Sequence, residues 1–366
     1  MVKKKVGIIT FHTADNYGAV LQAYALQEYV KRHIEHDVKI IDFNTPIHEM
    51  EHHVFEQAPG PIRKIVYTIF VLPYYYALKK RINRFKEFRR SLLSISEHRY
   101  ISENDFIDNM ESLDFYISGS DQVFNPKIRY SNCYYLGFKK RTGKKIAYAP
   151  SFGIASFTEE EIEFIKQMVS DFDALSCRES TGAALLTSIT GKKVPTVCDP
   201  VFLLTKQEWE EIMILPYEKK PYIFVYDLLG GYNDIELARK ISVACGNIPI
   251  ICATTRTRVW YKGVKVLRNL GPRELLGYIA KSEYVVTDSF HGTSLSLVFG
   301  KKVISYIASK KTSSRIESIA SLLNVKNQIV YDVQNFIFQE IKFDNYSSRL
   351  KLISESSQNY LMQNLQ

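Results

Sequence analysis

Cysteine is scarce and unpatterned in this chain. Five cysteines stand at positions 133, 177, 198, 245 and 252, an odd number with no C-x-x-C pair. That spacing argues against a disulfide framework or a thiolate zinc site and points to a reducing compartment. No stretch reaches the ~18 consecutive apolar residues that a membrane-crossing helix needs. The basic opening Met1-Val2-Lys3-Lys4-Lys5 is followed by an apolar run of only a few residues, which reads as a buried strand and not as a signal peptide. A cytoplasmic location is therefore expected. Neither G-x-G-x-x-G nor a Walker sequence occurs, so a dinucleotide site and a P-loop lack support, no cofactor is expected, and no spacing typical of metal ligands is visible. Short repeats and low-complexity segments are missing too.

What remains has the composition of an ordinary globular protein, with 46% hydrophobic and 24% charged residues in a 366-residue chain. That length suits two cores better than one, because single cores stop growing near ~250–300 residues. Aromatic residues reach 13%, with 24 Tyr and 21 Phe. They are enough to pack large sheets and to stack on sugar rings. The net charge of +9 is concentrated. Between Pro61 and Ser94 there are nine basic residues, from Arg63 to Arg90, against the single acid Glu87, which is nearly the whole surplus. The near-neutral remainder argues against a nucleic-acid groove along the fold.

Hydrophobic patterning alternates between strand and helix. Lys4–Thr10, Val38–Phe43, Leu113–Ser118, Lys145–Ala149 and Ala174–Ser176 read as strands, with an amphipathic helix over Gly18–Arg32 and further helices at Glu159–Ser170 and Thr181–Thr187. The alternation resumes with strands at Tyr222–Tyr226, Pro249–Ala253, Tyr284–Thr287 and Val303–Tyr306. Helices are expected at Asn233–Cys245, Pro272–Ala280 and Ser289–Phe299. Two successive β/α series predict two Rossmann-like domains facing across a cleft. Their expected limits are 1–194 and 195–345, with a helix in 346–366 packing back on the first. Segment 61–94 interrupts the pattern: Ile65–Leu78 is apolar and aromatic, and a basic helix follows. It reads either as an insertion covering the sheet or as a peripheral contact with an anionic membrane face, where each basic residue contributes ~1 kcal/mol.

Ligands of open α/β sheets sit beyond the carboxyl ends of the strands, where helix N-termini attract anions. After the first strand, Asp15, Asn16, Tyr17 and Gly18 lead into a helix, with capping and ligand contact both open for the polar pair. After Ile117 comes Ser118-Gly119-Ser120-Asp121-Gln122, a polar turn suited to substrate contact. Arg178-Glu179 follows another apolar stretch, and a guanidinium there can bind a carboxylate or phosphate bidentately. The most informative stretch is Thr287-Asp288-Ser289-Phe290-His291-Gly292-Thr293. It places His291 at the positive end of a helix, and Lys310, Lys311 and Arg315 follow in the next loop.

In their order along the chain, these strings resemble the polysaccharide pyruvyl transferase family. They run from Asn16-Tyr17-Gly18-Ala19-Val20-Leu21-Gln22 through Ser118–Gln122, Ala147–Gly153, Ser176–Glu179 and Cys198–Leu204 to Thr287–Gly292. The resemblance implies a fold like that of the two-domain (GT-B) glycosyltransferases, and transfer of a pyruvyl group from phosphoenolpyruvate to two hydroxyls of one sugar. The acceptor would be a lipid-linked or nucleotide-linked sugar of cell-surface or capsular polysaccharide synthesis, and no nucleic acid is implied. Arg178 and His291 match positions that handle the donor, and Lys311 falls where some members have an active-site Lys. Where some members carry Arg two residues before the His, this chain has Ser289, which makes Arg315 the candidate substitute. The expected donor set is thus Arg178, Ser289, His291, Gly292, Lys311 and Arg315. The acceptor set is Asp15, Asn16, Tyr17, Gly18, Ser120, Gln122 and Glu179, with His291, Arg178 and Asp121 expected to be catalytic. A glycosyltransferase using a nucleotide-sugar and a glycan-binding protein with a dead cleft are the alternatives.

Overall fold

A computed structural model of the chain describes residues 3–45, 72–128, 130–138, 142–154, 156–228, 230–256, 259–307, 310–341 and 346–366, without the side chains of 310–314. The chain divides into two compact units. Arg89–Leu204 and Lys351–Gln366 join the N-terminal residues in the first, while Thr205–Leu350 forms most of the second.

The first unit carries a five-stranded sheet in the order β3-β2-β1-β4-β5, with every pairing parallel. Its strands are β1 (Lys5–Ile9), β2 (Asp37–Phe43), β3 (Ile95–Tyr100), β4 (Phe115–Ser118) and β5 (Lys144–Ala147). The central β1 aligns Val6 and Ile8 with Val38 and Ile40 on one side and with Phe115 and Ile117 on the other. These apolar runs are continuous because a parallel sheet is covered on both faces. Helix α1 (Tyr17–His33) follows β1, and it departs from the expected amphipathic pattern: it is buried without a break from Tyr17 to Val30. It is covered by β2 and by the short turn Pro200–Phe202. Residues 174–176 form no strand, only an isolated bridge from Ala174 to Ile146.

Helix α2 (Tyr75–Leu92) buries Leu78, Phe85 and Phe88 along one stripe. Several of its basic residues are engaged. Arg84 pairs with Glu274 at 2.9 Å and donates to Asn269 O at 2.7 Å, and Arg89 pairs with Asp15 at 2.9 Å. The stretch 65–71 of the apolar run lies outside the described residues. Helices α3 (Glu103–Asn109), α4 (Ser131–Tyr134), α5 (Glu159–Val169) and α6 (Ser180–Thr190) complete this part of the unit. Past the expected limit at 194 the chain stays with it: Cys177 N donates to Pro195 O at 3.1 Å and Val197 N to Cys177 O at 3.0 Å.

The second unit begins with α7 (Lys206–Ile212) and carries a six-stranded sheet in the order β11-β10-β9-β6-β7-β8. Along the chain it runs β6 (Ile223–Asp227), α8 (Tyr232–Ala244), β7 (Ile250–Thr254), β8 (Val264–Leu267), α9 (Pro272–Lys281), β9 (Tyr284–Thr287), α10 (Phe290–Val298), β10 (Lys302–Tyr306), α11 (Lys310–Leu323) and β11 (Ile329–Val330). Its core gathers Ile223, Val225, Ile235, Leu237, Ile241, Cys252 and Val286. The final helix α12 (Tyr346–Asn364) is tied to the first unit near its end. Cys198 N donates to Ser357 Oγ at 2.9 Å, and Tyr360 Oη donates to Ala147 O at 3.0 Å. No helix among the described residues is long and apolar enough to cross a membrane.

Candidate active site

Each sheet reverses its strand order once. The first does so between β1 and β4, and the second between β6 and β9. The polar strings singled out in the sequence lie just beyond the carboxyl ends of these strands, which is where open α/β sheets bind ligands.

In the first unit a hydrogen-bonded chain links the two strand ends. Gln22 Nε2 donates to Thr10 Oγ1 at 2.8 Å, and Thr10 Oγ1 donates to Ser120 O at 2.8 Å. Ser120 Oγ donates to Ala149 O at 2.8 Å and stands 3.3 Å from Asp199 Oδ2. Asn16 caps α1, accepting from Ala19 N at 3.2 Å, and Asp15 is held by Arg89. Tyr17 and Gly18 are buried in the first turn of α1, while Asn16 is exposed. Asp121 adopts φ 70°, a costly conformation for a residue with a side chain. Its Oδ1 accepts from Gln122 N at 2.9 Å, and both residues stay half-exposed at the strand end.

Arg178 lies at the centre of this region, 6% exposed. Its Nη1 donates to Asp199 Oδ2 at 2.7 Å and its Nε to Glu179 Oε1 at 3.2 Å, while Ser151 Oγ donates to the same Glu179 oxygen at 2.6 Å. Burial opposes its charge, but Glu179, Asp199 and Asp121 outweigh that and push its pKa above the ordinary arginine value. The guanidinium is thus permanently charged and aimed by two carboxylates. Asp199 is the member of the group that the sequence reading missed. It stands inside Cys198-Asp199-Pro200, a string quoted for the family, but nothing local marks it as the partner of Arg178. Cys177 and Cys133, near this core, are not nucleophiles: burial pushes both thiols up, away from thiolate.

In the second unit, the turn after β9 leads into α10 as expected. Ser289 is the N-cap, its Oγ accepting from Gly292 N at 3.3 Å, so that hydroxyl serves the helix. Thr287 Oγ1 donates to Tyr226 O at 2.8 Å and accepts from Ser289 N at 3.1 Å, fixing the turn against β6. Gly292 allows α10 to approach this closely: a Cβ there would fall 2.6 Å from Thr287 Oγ1 and 2.8 Å from Tyr226 Cδ1. His291 sits in the first helical turn, 8% exposed, with its ring edge-on to Phe290 at 5.2 Å. A histidine there stands beside N–H groups of the positive helix end. Arg315 is half-buried on α11, and the side chain of Lys311 lies outside the described residues.

The structure therefore groups Arg178, Glu179, Ser120 and Asp121 in the first unit, and Ser289, His291 and Gly292 in the second. It also gathers Asp227, Asp234 and Asp288 beside the second turn, with one oxygen of each within 4.8 Å of the others. Asp227 and Asp234 stand close in sequence while Asp288 is distant, and the folding of β6, α8 and β9 brings the three together.

Solved structures with a similar fold include a UDP-N-acetylglucosamine 2-epimerase from Methanocaldococcus jannaschii. It is 11% identical, covers 96% of this chain and 99% of its own, and has a TM-score of 0.50. The S. aureus MnaA–UDP co-structure is 11% identical, with 99% and 91% covered and a TM-score of 0.51. The E. coli heptosyltransferase WaaC with ADP, 14% identical over 85% of this chain and 90% of its own, has a TM-score of 0.40. At such identities the likeness to the first two speaks for the two-unit α/β fold alone. No curated protein matches the chain. The family model described as polysaccharide pyruvyl transferase matches residues 16–310, from the cap of α1 to the start of α11 and so across both strand-end regions. The chain belongs to the polysaccharide pyruvyl transferase family.

Proposed function

We propose that this member transfers the pyruvyl group of phosphoenolpyruvate to two hydroxyls of one sugar, forming a cyclic ketal. The observation that carries the reading is His291 in the first turn of α10 at the strand-order reversal of the second sheet, in a chain of a pyruvyl transferase family. His291 protonates the methylene carbon of the enol phosphate, and an oxocarbenium-like centre forms at the adjacent carbon. A sugar hydroxyl attacks that carbon and loses its proton, the C–O bond to phosphate breaks, and the second hydroxyl attacks and loses its proton. Of the two protons released, one restores the acid and one leaves with phosphate. Imidazole suits the first role because it exchanges a proton near neutral pH.

In the second unit Arg315, Lys311 and the N–H groups of Gly292 and its helix end are the groups we assign to donor charge, and in the first unit Arg178 is the cation we assign to an anionic substrate group. Ser289, as the N-cap, positions those groups. Asp121 and Gln122, half-exposed beside the buried cluster, are the residues we assign to the acceptor hydroxyls, with Asp121 as base. Asp15, Asn16, Tyr17, Gly18, Ser120 and Glu179 shape the same strand-end surface. The acceptor is lipid-linked or nucleotide-linked, and the exposed Leu72 and Tyr76 beside the basic residues Lys79 and Lys80 support a peripheral contact with the inner membrane face. The protein would then act in the cytoplasm.

The test is incubation with phosphoenolpyruvate and candidate sugar acceptors, following phosphate release and ketal formation. The reading expects acceptor-dependent phosphate release. A melting temperature raised by a nucleotide-sugar and not by phosphoenolpyruvate, with no phosphate released for any acceptor, would overturn it in favour of glycosyl transfer.

A further inference from the structure

Asp227 closes β6, Asp234 lies in the first turn of α8 and Asp288 follows β9, so the second strand-order reversal is lined by carboxylates from three elements. They are 0%, 1% and 6% exposed. Some of their oxygens are engaged: Leu228 N donates to Asp288 Oδ1 at 2.9 Å, and Tyr261 Oη lies 3.4 Å from Asp227 Oδ2. Oδ1 of Asp227 and Oδ1 of Asp234 have no hydrogen-bond partner among the described residues. A buried carboxylate oxygen without a donor is costly, and two of them beside a third carboxylate cost more. Burial and the neighbouring acids push the Asp234 carboxyl far above its usual range, and burial also raises Asp227 against hydrogen bonds from the Gly230 backbone and the Thr254 side chain and the pull of Arg256.

Among the described residues, Arg256 is a cation that pulls on Asp227. The Arg256 side chain covers Gly230, where φ is 76° and an added Cβ would fall 1.8 Å from Arg256 Nε. The donor set is all oxygen, which selects hard cations of the Mg²⁺, Mn²⁺ and Ca²⁺ class. Oxygens on opposite sides of an ion stand about 4.2 Å apart around Mg²⁺ and about 4.6–5.2 Å apart around Ca²⁺. The three oxygens lie within 4.8 Å of one another, close enough for one ion of this class to be shared among them.

We propose that Asp227, Asp234 and Asp288 form a divalent-cation site at the strand-order reversal of the second unit. The inference rests on the carboxylates and not on the transfer reaction. Such an ion would also turn an anion-repelling pocket, next along the chain to His291, into an anion-attracting one.

The experiment titrates the full chain with Mn²⁺ alone, reading free Mn²⁺ by electron paramagnetic resonance, with no substrate present. The expected result is saturable binding of a single ion, displaced by Mg²⁺ or Ca²⁺, and weakened at least about tenfold in Asp234→Asn and in Asp227→Asn. Melting in chelator is the control: Asp234→Asn should melt at or above wild type, because a repulsive charge is gone, and should lose the Mn²⁺-dependent rise. No saturable binding to the wild-type chain, or binding unchanged in both variants, would overturn the site. A wild type indifferent to Mn²⁺ beside a stabilised Asp234→Asn would also overturn it, and would assign the cluster to shared protons. Pyruvyl transfer can fail with Mn²⁺ binding intact, and the reverse, so the two readings are separable.

Discussion

The two strand-order reversals use charge in opposite ways. In the first unit several buried charged groups are matched: Arg178 by Asp199 and Glu179, Asp15 by Arg89, Asp42 by Arg99 and His12. In the second, three buried carboxylates crowd together, two of them with an oxygen lacking a donor. Matched buried charges fix geometry and make their loss expensive, whereas crowded carboxyls raise one another's pKa. The first region is thus a rigid support that aims Arg178, and the second is the region that binding should change most.

The sharpest way to break this contrast is at His291. His291→Ala should lower ketal-forming activity by roughly 10²–10⁴-fold, as expected for loss of a general acid, with little change in denaturation midpoint. Activity near wild type would remove the acid from the scheme. On the other side, Asp199→Ala leaves the buried Arg178 charge short of its nearest partner and should cost roughly 3–5 kcal/mol in urea denaturation. A cost under ~1 kcal/mol would show that the cluster is not the support claimed for it. Gly292→Ala tests the turn between β9 and α10: the added methyl meets Thr287 and Tyr226, and overpacking of this kind costs ~1–3 kcal/mol. Unchanged stability would mean that α10 has room to shift.

The smallest effect should come from Asp42. Burial opposes its ionisation, but the His12 and Arg99 hydrogen bonds prevail and hold its carboxyl below the usual value. A depressed folded pKa gives stability that is present above the unfolded value and lost as pH falls through the folded one. Asp42→Asn should therefore lower stability at neutral pH by about 1 kcal/mol, with the difference from wild type vanishing below about pH 3, near and under the carboxylate range. A difference constant with pH would locate the effect in packing.

Much of this fold was legible because strands covered on both faces are written as apolar runs. Strand Tyr284–Thr287 and the helix after it stand where the pattern predicts them. The strands that escaped are edge strands. β3, Ile-Ser-Glu-His-Arg-Tyr, has polar residues through its middle and pairs only with β2, and β8 is half-exposed. The reverse error, a strand expected at 174–176, arose because Ala174-Leu175-Ser176 is apolar enough for one yet forms only a bridge. Candidate residues were legible where chemistry and chain direction coincide: Asp121 and His291 both follow a predicted strand directly. Their partners were not. Asp199 reaches Arg178 and Ser120, and Asp288 reaches Asp227 and Asp234, across sequence distances that no local spacing reports.

By itself, the sequence determined the class of the fold, the places where strands end in polar turns, and the family, because periodicity and local strings survive without long-range information. Tertiary structure alone decided which charges meet. An ion pair or a carboxylate cluster depends on distances of a few ångströms between distant segments, and burial sets whether that proximity stabilises or strains.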